Sequence, residues 1–152
     1  MESMEFRTAR GYELIDRQVK GLTDSMEDYL EMIYRMSRGE KDIRTSDLAE
    51  ALNVRPSSVS KMIQKLDSSA LVTYEKYGEI KLTQKGWELG EFLFFRHNIL
   101  GEFLELLGVK KNLLQEIERM EHNISQETLD CVVKLVSRAK SKPRLWDRFY
   151  NG

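Results

Sequence analysis

The chain has 152 residues, 32% of them charged, with one cysteine and a formal net charge of −1. That length suits one compact unit, or a small module with a helical partner domain, and it buries a core without disulfide staples. No apolar run approaches the ~20 residues of a membrane span, the amino terminus mixes acids with bases and is no signal peptide, and the single Cys131 excludes an intrachain disulfide. The expectation is a cytoplasmic protein with no membrane partner, in which Cys131 is a small core residue of a helix.

The overall charge conceals a division. Residues 44–85 carry seven Lys/Arg against five Asp/Glu, whereas residues 1–43 carry seven against ten and residues 86–139 six against nine. The basic excess falls on one segment, as contact with phosphates requires, and the acids gather elsewhere.

In chain order, residues 5–20 can form an amphipathic helix through Leu14, Ile15 and Val19, broken at Gly21. Ser25-Met-Glu-Asp28 reads as a capping box that opens a helix with Tyr29, Leu30, Ile33, Tyr34 and Met36 on its apolar side. Thr45-Ser46-Asp47 supplies helix-starting groups, and Leu48, Ala49 and Leu52 give the next helix a small apolar face. Asn53 suits a left-handed helix end and Pro56 a first helical turn. Val59, Met62, Ile63 and Leu66 then repeat at helical spacing. From Val72 to Thr83 two short apolar-polar runs flank a turn at Tyr77-Gly78-Glu79, which predicts a hairpin.

A long helix is expected from Gln84 to about Leu107. It is apolar nearly all round at residues 92–95, which places it at a domain centre, at a subunit interface, or both. Gly108 ends it. Further helices are expected near 110–122 and from an N-cap at Ser125 to about Ala139, with a tail after Pro143.

Two helices followed by a hairpin make a winged helix-turn-helix, an arrangement that binds duplex DNA. Its second helix would enter the major groove, with Arg55, Ser57, Ser58, Ser60, Lys61 and Gln64 reaching bases and phosphates. Lys65 and the wing residues Lys76 and Tyr77 would lie on the backbone. Ser57 and Ser58 serve equally as helix-start residues, and Lys61 and Lys65 as a solvated face.

The second informative segment is Glu118-Arg-Met-Glu121-His122, where positions i, i+3 and i+4 share a helix face. Asp28 and Glu31 repeat the i, i+3 spacing, and His97 stands in the apolar run Phe94-Phe95-Arg96-His97. On spacing alone each is as well explained by a solvated face, a capping acid or a hydrogen-bonded core histidine. Together, four carboxylates and two imidazoles suit a divalent first-row ion that takes oxygen and nitrogen.

At these residues the chain resembles the diphtheria toxin repressor family of metal-dependent transcriptional regulators, in its short, manganese-responsive branch. The resemblance runs from about Ser25 to Lys140. It is carried by Ser25-Met-Glu-Asp-Tyr-Leu-Glu31, Pro56-Ser-Ser-Val-Ser-Lys-Met-Ile-Gln-Lys-Leu66, Tyr74-Glu-Lys-Tyr77, Phe95-Arg-His97 and Glu118-Arg-Met-Glu-His122.

The resemblance implies a homodimer that binds a double-stranded DNA operator and carries two Mn2+ per chain between its DNA-binding and dimerisation domains. Asp28 and His97 would hold one ion, Glu118 and His122 the other, and Glu31 and Glu121 would bridge them. Hard carboxylates at 28 and 118, where the iron-responsive branch has Met and Cys, favour Mn2+, although Fe2+ or Zn2+ also suit such a site. Asn123 departs from the pattern, since a second His is common there.

The implied organisation is mainly α. An N-terminal extension (1–24) precedes a winged helix-turn-helix DNA-binding domain (25–83), an all-helical metal-binding and dimerisation domain (84–140) and a C-terminal tail (141–152). The implied function is a repressor of metal-uptake genes, not an enzyme. A di-iron oxidase would need Glu-x-x-His, and the residues three before His97 and His122 are Phe94 and Arg119. The alternative is a winged-helix regulator that senses Fe2+, Zn2+ or a small organic ligand.

Overall fold

The computed structural model describes residues 15, 17–39, 41–75 and 78–151. The expected wing contacts Lys76 and Tyr77 lie outside the described residues, as do Leu14 and most of the expected 5–20 helix. Within that segment Ile15 and Arg17–Val19 are helical, and Ile15 and Val19 are buried. The chain forms two compact units that divide between Phe94 and Phe95.

In the first unit, helix α1 spans Asp24–Ser37. Its cap is Thr23, with an extended backbone and a side-chain oxygen that accepts from the Met26 N–H at 3.2 Å. Ser25, the expected cap, is already inside the helix. A cap must sit where the chain is still extended, and after the turn at Gly21 that place is Thr23. Asp24 and Glu27 add favourable negative charge to the first turn.

Helix α2 (Thr45–Leu52) begins where the Asp47 carboxylate accepts from the Arg44 N–H at 2.9 Å. It ends at Asn53, which takes the left-handed conformation (φ 53, ψ 49) that turns the chain toward helix α3 (Pro56–Ser68). Val59, Ile63 and Leu66 of α3 are buried together with Leu48 of α2 and Leu30 and Ile33 of α1, so the three helices share one core.

Strand β1 (Val72–Tyr74) pairs antiparallel with β2 (Ile80–Leu82) in the register Val72↔Leu82, Thr73↔Lys81, Tyr74↔Ile80. Val72 and Ile80 face inward, Thr73 and Lys81 outward, and Ile43 adds a further bridge to Ile80. The hairpin is the expected wing.

The wing is tied to the next helix by Thr83. Its hydroxyl donates to the Ala70 carbonyl at 2.7 Å and accepts from the Gly86 N–H at 3.0 Å, while its own N–H donates to the Leu71 carbonyl at 3.1 Å. Gly86 sits so close to this crossing that an added Cβ would lie 1.9 Å from the Leu71 carbonyl oxygen.

Helix α4 (Gln84–Leu106) is the expected long helix. Phe92 and Leu93 are buried, but Phe94 and Phe95 are only half-buried in this single chain. Phe94 packs on Tyr34 of α1, with ring centroids 5.6 Å apart. Tyr34 in turn meets Trp87 edge-to-face at 5.4 Å.

The second unit contains the end of α4, then α5 (Leu113–Glu121), α6 (Gln126–Ser141) and α7 (Pro143–Asn151). Gly108, at φ +84, turns the chain out of α4. The Ser125 side chain caps α6 by accepting from the Thr128 N–H. The unit's buried apolar residues include Leu100, Leu104, Ile117, Leu129, Val132 and Val136.

Two expectations fail here. Cys131 is exposed, because Leu129, Val132 and Val136 form the inward row of α6 and residue 131 falls on the far side. The segment read as a tail after Pro143 is helical. Proline is acceptable in a first helical turn, and Pro143 begins α7.

The crossing at Gly86 yields a stability test. Gly86→Ala must push apart two backbone segments, and we expect it to cost about 1–3 kcal/mol, the usual range for overpacking. The shift of the urea unfolding midpoint relative to the unmodified chain measures it.

Candidate metal centre and nucleic-acid interface

The face of α3 opposite its buried row is open. Arg55, Ser57, Ser58, Lys61, Gln64 and Lys65 are exposed and Ser60 is partly so. Pro56 at the first helical turn leaves this end of the helix without competing side-chain caps. In the wing, Lys81 pairs with Glu79 at 2.9 Å, and the hydrogen bond and charge of that carboxylate hold the ammonium above its ordinary pKa. The group therefore stays cationic beside the hairpin.

Within the first unit, α1 carries two acidic rows at i, i+4 spacing. Asp24 and Asp28 are exposed, whereas Glu27 and Glu31 are 6% and 8% exposed. Glu31 accepts a hydrogen bond from Arg35 Nη2 at 2.6 Å. Burial also pushes the Tyr29 hydroxyl above its ordinary pKa. Glu27 was not among the residues singled out from sequence, although its position four before Glu31 is the pattern that would have found it.

Within the second unit, α4 supplies His97 and the end of α5 supplies Glu121 and His122. His97 Nδ1 lies 2.9 Å from one Glu121 oxygen, and His122 Nε2 lies 3.8 Å from the other. His122 follows the last helical residue but keeps a near-helical backbone (φ −81, ψ −14), which holds its ring alongside α5. Glu121 is 3% exposed. Glu118, one turn earlier, stands exposed.

At 2.9 Å the His97 ring nitrogen can donate its N–H to the Glu121 carboxylate, and the same nitrogen and oxygen atoms are of the kinds that ligate a metal ion. The donors are all oxygen and nitrogen, with no thiolate among them. That set fits a divalent first-row ion and not a thiophilic one.

Residues 21–80 match the family model described as the iron dependent repressor N-terminal DNA binding domain, and residues 83–148 match the metal binding and dimerisation domain of the same repressors. The chain belongs to the iron-dependent repressor family. It is 47% identical over 119 residues to the HTH-type transcriptional regulator MntR of Oceanobacillus iheyensis, covering 78% of this chain and 81% of that one. The MntR of Geobacillus kaustophilus is 46% identical over 115 residues, 75% of this chain and 82% of that protein.

Among solved structures, the metal-dependent transcriptional regulator MtsR matches with a TM-score of 0.69 and 31% identity over 76% of this chain and 55% of its own. A manganese-dependent transcriptional repressor in complex with manganese matches with a TM-score of 0.67 and 28% identity, over 74% of this chain and 52% of its own. The chain thus spans about half the length of these solved relatives. Family membership makes it a metal-dependent, DNA-binding transcriptional regulator and not an enzyme.

The contrast between the two α5 acids can be measured in metal-free protein. Glu121→Ala removes a buried carboxylate together with its 2.9 Å contact to His97, and we expect a loss of about 1–3 kcal/mol. Glu118→Ala, at an exposed position, should stay within about 0.5 kcal/mol of the parent. Parallel urea titrations compare them.

Proposed function

We propose that the chain is a Mn2+-responsive repressor of metal-uptake genes, acting in the cytoplasm as a homodimer on a two-fold operator. Two ions per chain are held by Asp28 and Glu31 of α1 together with His97, Glu118, Glu121 and His122. The observation that carries this reading is Glu121, a buried acid with an imidazole nitrogen facing each of its oxygens. The naming of the curated relatives as MntR, and of a solved relative as manganese-dependent, supports the choice of ion.

In this reading residues 25–83 read DNA and residues 84–140 bind metal and dimerise. Asp28 and Glu118 are exposed and in this reading complete one ion's shell each, whereas Glu31 and Glu121 are buried and supply the bridging oxygens. Metal would neutralise the four carboxylates and give one arrangement of the ligand-bearing helices a free-energy advantage; ~1–3 kcal/mol is typical of such coupling. In a dimer that advantage sets the spacing of two α3 helices, which must match half-sites about ~34 Å apart or a multiple of it. Arg55, Ser57, Ser58, Ser60, Lys61, Gln64 and Lys65 face the groove, with Lys76 and Tyr77 on the backbone.

Calorimetric titration of the metal-free protein with Mn2+ tests the site. We expect two ions per chain, and one lost or strongly weakened in Asp28→Asn and in Glu118→Gln, both of which leave the fold intact. No uptake by the unmodified chain, or two undiminished ions in both variants, overturns the assignment. For DNA, Lys61→Ala should weaken metal-dependent operator binding and, if Lys61 meets a phosphate, reduce the slope of log K against log salt by about one. Fluorescence anisotropy across a salt series reads both.

A further inference from the structure

One cation already occupies a carboxylate assigned to the metal. Arg35 Nη2 donates to Glu31 Oε1 at 2.6 Å, one turn along α1, in the Glu-before-Arg order that helices favour. The guanidinium carbon lies 5.3 Å from the centroid of the Phe94 ring, which Arg38 also approaches at 5.1 Å. Arg35 Nε is buried and donates to no acceptor among the described residues, while 36% of the side chain is open to solvent. The head group is therefore held by one strong charge-assisted bond and a ring face. It keeps one donor unsatisfied and has a route to water.

We propose that Arg35 is a built-in competitor of the metal ion. Its guanidinium supplies the positive charge on Glu31 in the metal-free protein and must withdraw before an ion can engage both oxygens of that carboxylate. This rests on Glu31 being a ligand, as assigned above. A carboxylate only 8% exposed is costly to keep ionised without a counter-charge, and Arg35 Nη2 at 2.6 Å supplies one when no ion is present.

Arginine differs here from the two histidines. Imidazole yields to a metal ion by giving up its proton, but guanidinium does not deprotonate in proteins. It either leaves or remains beside a second cation and repels it. Phe94 offers the displaced head group a resting surface, because a ring face holds a guanidinium without needing the carboxylate. The consequence is a raised ion threshold. Part of the binding free energy goes into moving Arg35, and the metal-free protein is stabilised by the pair it keeps.

The test compares the full-length chain with Arg35→Met, Arg35→Lys and Arg38→Met. Each is titrated with Mn2+ by calorimetry and melted with and without the ion. We expect Arg35→Met to bind Mn2+ about tenfold tighter, within the range of ordinary site coupling. Its metal-free form should melt at a lower temperature and gain more on adding Mn2+. Arg35→Lys should fall between it and the parent, and it carries the comparison if Arg35→Met does not fold without metal. Arg38→Met, which changes the same ring contact and the same charge, should keep the parent affinity.

Unchanged or weaker binding by both Arg35 variants overturns the inference, as does equal tightening by Arg38→Met. If the parent binds two ions and the Arg35 variants bind them no tighter, only the role of Arg35 falls. If the parent binds none, the metal site falls with it.

Discussion

A carboxylate removed from water must keep a positive charge or a proton beside it, and this protein buries Glu27 and Glu31 in its first unit and Glu121 in its second. Glu31 and Glu121 are nearly enclosed, and each is matched by a neighbour of its own unit: an arginine one turn along the same helix, and a histidine from the adjoining one. The two solutions differ in kind. The first uses a permanent charge that can only be moved, the second an imidazole, whose charge depends on its proton.

The DNA-reading half depends on a different constraint, the close crossing at the foot of the wing. Thr83 joins the end of α3, the hairpin and the start of α4 through three hydrogen bonds, and Gly86 lets the helix pass against the Leu71 carbonyl. The segment that follows α3 is thereby fixed to the start of α4. Small side chains and satisfied backbone groups do this, without any large apolar insert.

Much of this was legible in the residues. Asn53 and Pro56 punctuate the helix-turn-helix because few residues accept a left-handed turn or a missing N–H. The apolar row Val59, Ile63 and Leu66 can face only one way on a helix. The acid and imidazole spacing at 118–122 was visible too, although spacing alone could not distinguish buried Glu121 from exposed Glu118. That difference arises from packing.

What was misread has a common cause. Ser25, Cys131 and Pro143 were each judged by residue type, whereas their roles are set by phase: where the chain leaves extended backbone, which row of α6 turns inward, and where the next helix begins. Arg35 and Glu27 escaped notice because charged residues on an amphipathic helix look like solvated surface until a neighbouring ring or acid covers them.

The outward placement of Cys131 has a practical side. The chain holds one thiol, and it stands on the polar row of α6 with no competitor elsewhere in the sequence. A maleimide probe or nitroxide therefore attaches at a single defined point without any engineering of the protein. In a two-fold assembly the two labels form one pair with one separation. Their rate of attachment reports whether the outer side of α6 remains open when copies associate, and the distance between them reports any rearrangement of that pair as metal is added.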